Sequence, residues 1–116
     1  MKITDYGFGR ITIDGKDFTG DLKVIKGKII PNWWRSQGHL LQLDDIKDII
    51  DAKPEVLVVG TGAAGVMRIH PEVKGHLQKK GIALRAAKSS EAVEIFNNLM
   101  EELGPDRVSL AIHLTC

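Results

Sequence analysis

A glycine-rich segment, residues 60–65, has the spacing that most directly suggests a chemistry. Its sequence, Gly-Thr-Gly-Ala-Ala-Gly, matches G-x-G-x-x-G and follows the apolar run 56–59. Such a segment can hold a dinucleotide, whose pyrophosphate meets bare amides at a helix N-terminus. It can also form a smaller nest of amides for an anion, or simply a tight turn at the end of a strand. All three interpretations stay open at this point.

Two cations could complete an anion site at this turn. Arg68 follows the turn after a short segment that is predicted to be extended, and its guanidinium could close an anion pocket. Lys88 lies just after a predicted strand, on the side of an open α/β sheet where ligands bind. The alternative for both is a solvated surface side chain. We therefore predict a binding site for a small anion at Gly60, Thr61 and Gly62, together with these two cations.

The densest unusual stretch is residues 33–39, which contain both tryptophans of the chain. Adjacent side chains of an extended backbone point to opposite faces, so Trp33 and Trp34 are not expected in the same core layer. One indole is then expected to line a cleft or an interface, or to stack on Arg35. The alternative is that both pack between two layers of the protein. Trp34, Arg35 and His39 join the predicted ligand-binding residues.

Other chemistries find less support in the residue types and their spacing. The four histidines and the single cysteine show no metal-ligand spacing, so neither a metal nor a cofactor is predicted. Cys116 is interpreted as a bystander, with a nucleophilic couple to His113 as the alternative. No catalytic residue is assigned, although His39 or Lys88 could act as an acid or base in an enzyme.

The elements that must position these residues follow from hydropathy. In the N-terminal part, Ile11 and Ile13 alternate with polar residues, and Asp14-Gly15 is a strong hairpin signal. This pattern predicts short antiparallel strands. The run 56–59 is apolar throughout, which is typical of a strand that is buried on both faces.

The second half of the chain is predicted to be richer in helix. Ser89 or Ser90 is predicted to cap the strongest helix, which Gly104-Pro105 ends. Residues 108–114 then alternate apolar and polar side chains, which predicts a less buried strand. Hairpins followed by a βαβαβ order indicate an α/β sheet with a β-rich N-terminal layer, and the crossover rule makes the last strand parallel.

Length and composition restrict the function classes. The 116 residues predict one domain, and 43% hydrophobic residues indicate an ordinary folded protein. A net charge of +1 gives no general attraction to nucleic acid or to acidic lipid. The sequence has no apolar stretch of membrane-spanning length, and a single cysteine forms no internal disulfide. We expect a soluble cytoplasmic protein that binds neither nucleic acid nor membrane.

Several of these features together resemble a known family. They are Trp33-Trp34-Arg35, Gly38-His39, Gly60-Thr61-Gly62, Gly81 and Ala92-x-x-x-Phe96-Asn97-x-Leu99. The pattern is similar to a small α/β family of largely unknown function that includes the adipogenesis-associated protein and mitochondrial complex I assembly factor 3. The resemblance implies a three-layer α/β fold whose central mixed sheet has an antiparallel last strand. It implies no reaction, and its mitochondrial members act through protein partners in assembly.

The sequence therefore predicts a small binding or assembly domain with an anion pocket between the glycine turn and residues 34–39. A small enzyme or nucleotide-dependent factor that uses the same pocket is the alternative. A third hypothesis is a homodimer that associates through the tryptophan segment. The predicted partner is a small anionic ligand or another protein.

Overall fold

The computed structural model describes residues 1–116. Its N-terminal layer is a sheet of three antiparallel strands in the order β1-β2-β3. These strands are β1 (Ile3–Gly7), β2 (Arg10–Ile13) and β3 (Lys16–Phe18). Between β2 and β3, Asp14 and Gly15 have φ values of 49° and 82°, the left-handed backbone that a tight hairpin turn requires. The predicted hairpin is therefore confirmed.

The main sheet has five strands and is mixed. Its members are β4 (Leu22–Ile25), β5 (Lys28–Ile30), β7 (Val56–Thr61), β9 (Ala83–Ala87) and β10 (Val108–His113), in the spatial order β5-β4-β10-β7-β9. Two very short strands, β6 (Leu40–Leu41) and β8 (Arg68–Ile69), pair in parallel as a separate unit.

Three helices and one 3-10 turn complete the chain. The 3-10 turn Leu43–Ile46 leads into α1 (Lys47–Ala52), which is followed by α2 (Pro71–Lys79) and α3 (Ser89–Leu103). The helix α3 ends where the sequence predicted, and Gly104 follows it with a φ of 86°. The predicted serine cap is wrong, because Lys88 is the N-cap and Ser89 is the first residue of the helix. None of the helices has the length and the apolar composition of a membrane-spanning segment.

The direction of β10 combines two expectations. It runs parallel to β7, as the crossover rule requires for a strand that follows a helix. It runs antiparallel to β4 on its other side. The antiparallel expectation therefore holds for one neighbour and is wrong for the other.

The core lies on both faces of the main sheet. On one face, Val58 and Leu110 pack with Phe96 of α3 and with the N-terminal layer. On the other face, Leu57 and Ala111 pack with α2, α1 and the 3-10 turn. These contacts form the predicted three-layer α/β arrangement with a central mixed sheet.

The strand β10 is buried along its whole length, including Ser109 and His113. The alternation in its sequence had predicted a less buried strand, and that prediction was wrong. Ser109 and His113 are buried because β10 is the central strand of the sheet. The place of His113 is the basis of the candidate site.

Candidate functional site

The two tryptophans take opposite environments. Trp33 is buried; its indole Nε1 donates to the carbonyl oxygen of Asp45 at 3.0 Å, and its backbone N–H donates to Asp21 O at 2.8 Å. The neighbouring side chain of Trp34 is 86% exposed. Of the two open interpretations, the one that places a single indole outside the core agrees with the structure.

A buried polar network lies beside Trp33. Asp21 precedes β4, Arg35 follows the tryptophans, and His113 ends β10. Asp21 Oδ2 accepts from Arg35 Nη2 at 2.8 Å and is 2.7 Å from His113 Nδ1, while its Oδ1 accepts from the N–H of Leu114 at 2.8 Å. The side chains of Arg35 and His113 are only 4% and 8% exposed. Three distant parts of the chain thus meet around one carboxylate.

The donors in this network place a hydrogen on Nδ1 of His113. Arg35 can only donate, and an ionised Asp21 can only accept, so His113 Nδ1 carries the hydrogen that faces the carboxylate. The distance of 3.1 Å between Arg35 Nη2 and His113 Nδ1 then reflects two donors that converge on one oxygen. Burial alone would raise the pKa of Asp21, but hydrogen bonds from His113, Leu114 and Arg35 outweigh it and lower that pKa.

The guanidinium of Arg35 is held on several sides. Its Nε and Nη2 donate to the carbonyl oxygen of Gly38 at 3.1 and 2.9 Å, and its central carbon lies 4.6 Å from the ring centroid of Trp33. Arg35 Nη1 and His113 Nε2, however, are buried without a hydrogen-bond partner in the protein. Buried polar atoms are nearly always hydrogen-bonded, so these two mark the place where a further group is expected.

A cavity of about 330 Å³ adjoins this network. It is lined by Gly20, Asp21, Asn32, Trp33, Trp34, Arg35 and Gly38. Its volume is at the lower end of the range of pockets that hold small organic molecules. The cavity therefore has the exposed Trp34 and the ion-paired Asp21 and Arg35 among its lining residues.

The glycine turn at residues 60–65 is packed against other backbone. A Cβ on Gly60 would stand 2.6 Å from Ile112 Cγ1, and one on Gly62 would stand 2.3 Å from the carbonyl carbon of Cys116. Gly62 also has a φ of 106°, which L side chains rarely adopt. Close approach and backbone conformation both require glycine at residue 62.

The amides of this turn donate to the protein itself. Gly62 N–H donates to Ser89 Oγ at 2.9 Å. The amides of residues 63, 64 and 66 donate to the carbonyl oxygens of Thr115 and Cys116 at 2.9 to 3.1 Å, and Gly65 donates to Gly62 at 3.2 Å. Each amide from residue 62 to residue 66 thus has a partner.

An anion at Gly60, Thr61 and Gly62 would therefore have to bind without the amides of residues 62–66, and ligand binding at this turn stays a prediction. The dinucleotide interpretation fails, because a pyrophosphate needs a helix N-terminus and no helix begins at the third glycine. The next helix, α2, starts only at Pro71. The third interpretation, a tight structural turn, agrees with the geometry.

The remaining predicted site residues are Lys88, Arg68 and His39. Lys88 is exposed and lies against Gly65, and Arg68 is exposed on β8. The backbone N–H of Arg68 donates to the carbonyl oxygen of His39 at 2.8 Å, so β8 joins the two predicted segments. The ring of His39 lies edge-on to that of His113, with centroids 5.8 Å apart. Ligand binding by Lys88, Arg68 and His39 stays a prediction.

Sequence reasoning missed two members of the site, Asp21 and His113. The two residues are 92 positions apart in the chain, so no local spacing could show that their side chains are in contact. His113 was considered only as a partner for Cys116, but its Nδ1 faces Asp21 instead. No group of three or more metal-ligating side chains is arranged around an ion site.

The fold that positions these residues occurs in other proteins. A family model described as "Protein of unknown function (DUF498/DUF598)" matches residues 3–113. This chain belongs to the DUF498/DUF598 family. The match includes both the glycine turn and the network around Asp21, and it confirms the resemblance to a family of unknown function.

Solved structures support this DUF498/DUF598 fold over nearly the whole chain. A conserved hypothetical protein from Pyrococcus horikoshii OT3 is 30% identical, with a TM-score of 0.76, over 100% of both chains. A Bordetella parapertussis protein is 28% identical, with a TM-score of 0.77, over 96% of this chain and 92% of that one. A Bordetella pertussis protein described as an Mth938-like domain is 25% identical, with a TM-score of 0.66, over 97% and 85% of the two chains.

Proposed function

We propose that this DUF498/DUF598 protein is a binding domain that holds a carboxylate-bearing small molecule in the cavity beside Trp34. The observation that carries the proposal is Arg35, which lines the cavity while one of its guanidinium nitrogens has no partner. A guanidinium has donors only and matches a carboxylate in shape. The anion predicted from the sequence is thus assigned to Arg35 instead of the glycine turn.

The cavity wall places one cation, Arg35, beside one carboxylate, Asp21. Asp21 already pairs with one arm of Arg35, and His113 also faces that carboxyl group. The guanidinium would then bridge two carboxylates, one from the protein and one from the ligand. Because Arg35 is fixed by Gly38 and Trp33 beforehand, binding requires little further ordering of this side chain.

Trp34 supplies the apolar part of the recognition. Its exposed indole borders the cavity and would cover the apolar body of a ligand. Ligand binding would thus explain why a large apolar side chain is exposed at this position. The proposed ligand is therefore a carboxylate attached to an aromatic or aliphatic group.

A titration with benzoate tests the proposal, with benzyl alcohol as the matched compound that lacks the carboxylate. We expect benzoate to shift the NMR signals of the Arg35 Nε–H and the Trp34 indole and to raise the melting temperature. Benzyl alcohol should have a much weaker effect. If benzoate leaves both signals in place at millimolar concentration, the proposal is wrong.

The variant Trp34→Ala should weaken benzoate binding by about two- to tenfold, the usual range for one aromatic contact. Phe8→Ala is the control, since Phe8 is also an exposed aromatic side chain but does not line the cavity. It should leave binding unchanged. Equal losses in both variants would contradict a specific role for Trp34.

A catalytic role is the second candidate, and His113 is the observation that favours it. Asp21 holds the hydrogen on Nδ1, and Nε2 has no partner in the protein, so a neutral His113 would have the free acceptor that a general base needs. A nucleotide-dependent factor would instead use the exposed cations Arg68 and Lys88. Adding nucleotides to the titration tests for a nucleotide-dependent factor, because nucleotides should then shift the signals of Arg68 and Lys88 and not that of Arg35.

An assembly role like that of the mitochondrial members implied by the resemblance remains a proposal, as does a homodimer formed through Trp34. Light scattering tests the dimer directly: Trp34→Ala would convert it to a monomer. The single domain over residues 1–116 and the cytoplasmic location stay predictions of the sequence.

A further inference from the structure

The strand β9 forms one edge of the main sheet, and no strand pairs with its outer side. On its inner side, Ala83 N–H donates to the carbonyl oxygen of Glu55 at 2.9 Å. Backbone groups alternate in direction along a strand, so those of Leu84 and Ala86 face away from the sheet. Two N–H and two C=O groups are therefore open to a further strand.

An apolar groove of about 490 Å³ runs between this edge and α2. Its lining residues are Lys74, Leu77, Gln78, Ile82, Ala83, Leu84 and Ala86. Five of these seven are hydrophobic, so the groove suits apolar side chains that alternate along an added strand.

The opposite edge of the sheet, β5, differs from β9. It has only three residues, begins with Lys28, and is followed by Pro31, which has no N–H to donate. Short length, lysine and proline are the usual features that block pairing at an edge. In contrast, β9 has five residues, three of them alanine, and Arg85 is its only charged residue.

We propose that β9 docks an extended segment of a partner protein in which apolar residues alternate with acidic ones. Arg85 pairs in register with Val58, which belongs to the core on the α3 face, so Arg85 points away from the groove. Alternate residues of the added strand would then meet the apolar groove on one face and the Arg85 guanidinium on the other. Lys74 at the groove adds a second positive charge.

A second copy of this chain fits the edge less well. Antiparallel pairing of two β9 strands through Leu84 and Ala86 would place Arg85 directly opposite Arg85 of the other copy. Like charges in that position are destabilising. Charge thus favours an acidic partner over self-association.

Two synthetic peptides test this proposal on the full chain. One has four valines alternating with three glutamates, and the other has lysines in place of the glutamates; both have blocked ends. The glutamate peptide should shift the amide signals of Leu84 and Ala86 and slow their hydrogen exchange. It should bind at least about threefold more tightly than the lysine peptide.

Two variants make the test specific. Ala86→Pro removes one outward N–H and should abolish binding, with its NMR spectrum serving as the check on folding. Arg85→Glu leaves the backbone groups intact and should reverse the preference between the peptides. Trp34→Ala should bind the glutamate peptide as the wild type does, which separates this edge from the ligand cavity.

Three outcomes would overturn the inference. The glutamate peptide could leave the amides of Leu84 and Ala86 unchanged, or it could shift the signals around Trp34 instead. The third is that these two amides are protected without peptide, in a manner that depends on protein concentration, because the edge would then be occupied by another copy.

Discussion

Two regions near the C-terminal ends of β7 and β10 use their polar groups in opposite ways. The glycine turn, residues 60–65, has a motif that suggests ligand binding, yet its amides from residue 62 onward donate to the protein. The segment 33–39 has no such motif, yet Arg35 retains a buried nitrogen without a partner. Because a binding site requires donors that remain free after folding, spacing alone does not identify one.

The variant Gly62→Ala should have the largest effect and tests whether the glycine turn is structural. Its Cβ would collide with the backbone of Cys116, and its φ of 106° disfavours a side chain. We expect a loss of about 4 kcal/mol in the free energy of unfolding, measured by urea denaturation. Gly38→Ala is the matched control, since its Cβ would meet open space, and it should change stability by less than about 1 kcal/mol. Similar values for the two variants would refute the contrast.

The variant Arg35→Met tests whether the second region is held by its ion pair. It would leave the carboxylate of Asp21 largely buried and short of a cation, which we expect to lower the free energy of unfolding by about 3 kcal/mol. Arg10→Met removes an exposed ion pair with Asp5 and should change it by less than about 1 kcal/mol. A double-mutant cycle with Asp21→Asn should show strong coupling; additive effects would mean that the pair does not stabilise the site.

Acid should lower the free energy of unfolding through Asp21, which lies in the second region. The pKa of Asp21 is lower in the folded protein than the ordinary value of about 3.9. This carboxylate therefore contributes stability that is complete above that value and is lost as the pH falls through the folded pKa. Below about pH 4, wild-type stability should fall more steeply with pH than that of Asp21→Asn, as measured by urea denaturation at each pH. Parallel curves would show that Asp21 is not linked to folding.

The smallest effect on stability is expected at Trp34. Its side chain is exposed, so Trp34→Ala should change the free energy of unfolding by about 0.5 kcal/mol or less. Trp33→Ala empties a buried site next to Arg35 and should cost about 3 kcal/mol or more. Thermal denaturation of the pair checks this difference, and a large loss at Trp34 would mean that the indole supports the fold instead of a ligand.

Local patterns predicted the elements well, and of the candidate site they predicted Trp34 and Arg35 but neither Asp21 nor His113. The Asp14-Gly15 hairpin and the helix from Ser89 to Leu103 follow from turn chemistry and periodicity, which act over a few residues. Because adjacent side chains of an extended backbone alternate, the sequence predicted that Trp33 and Trp34 point to opposite faces. It did not predict which of them is buried, because the hydrogen bond from the Trp33 indole to the carbonyl of Asp45 leaves no sign in the local sequence.

The prediction for β10 failed for a similar reason. Its alternating polarity is typical of a half-exposed strand, but its place between β4 and β7 buries both faces. The contact between Asp21 and His113 depends on that central place, because it joins the start of β4 to the end of β10. A side-chain contact of this kind follows from the topology of the sheet and cannot be predicted from the spacing of residues in the sequence.

The central place of β10 also has a consequence for biosynthesis. β4 and β7 each pair with β10 and not with one another, and β10 follows both of them in the chain. Until the ribosome has released residues 108–113, the nascent polypeptide holds two partial sheets with exposed edges and cannot complete its cooperative transition. The main sheet should therefore be completed only after β10 has left the ribosome, because no earlier strand joins its two parts.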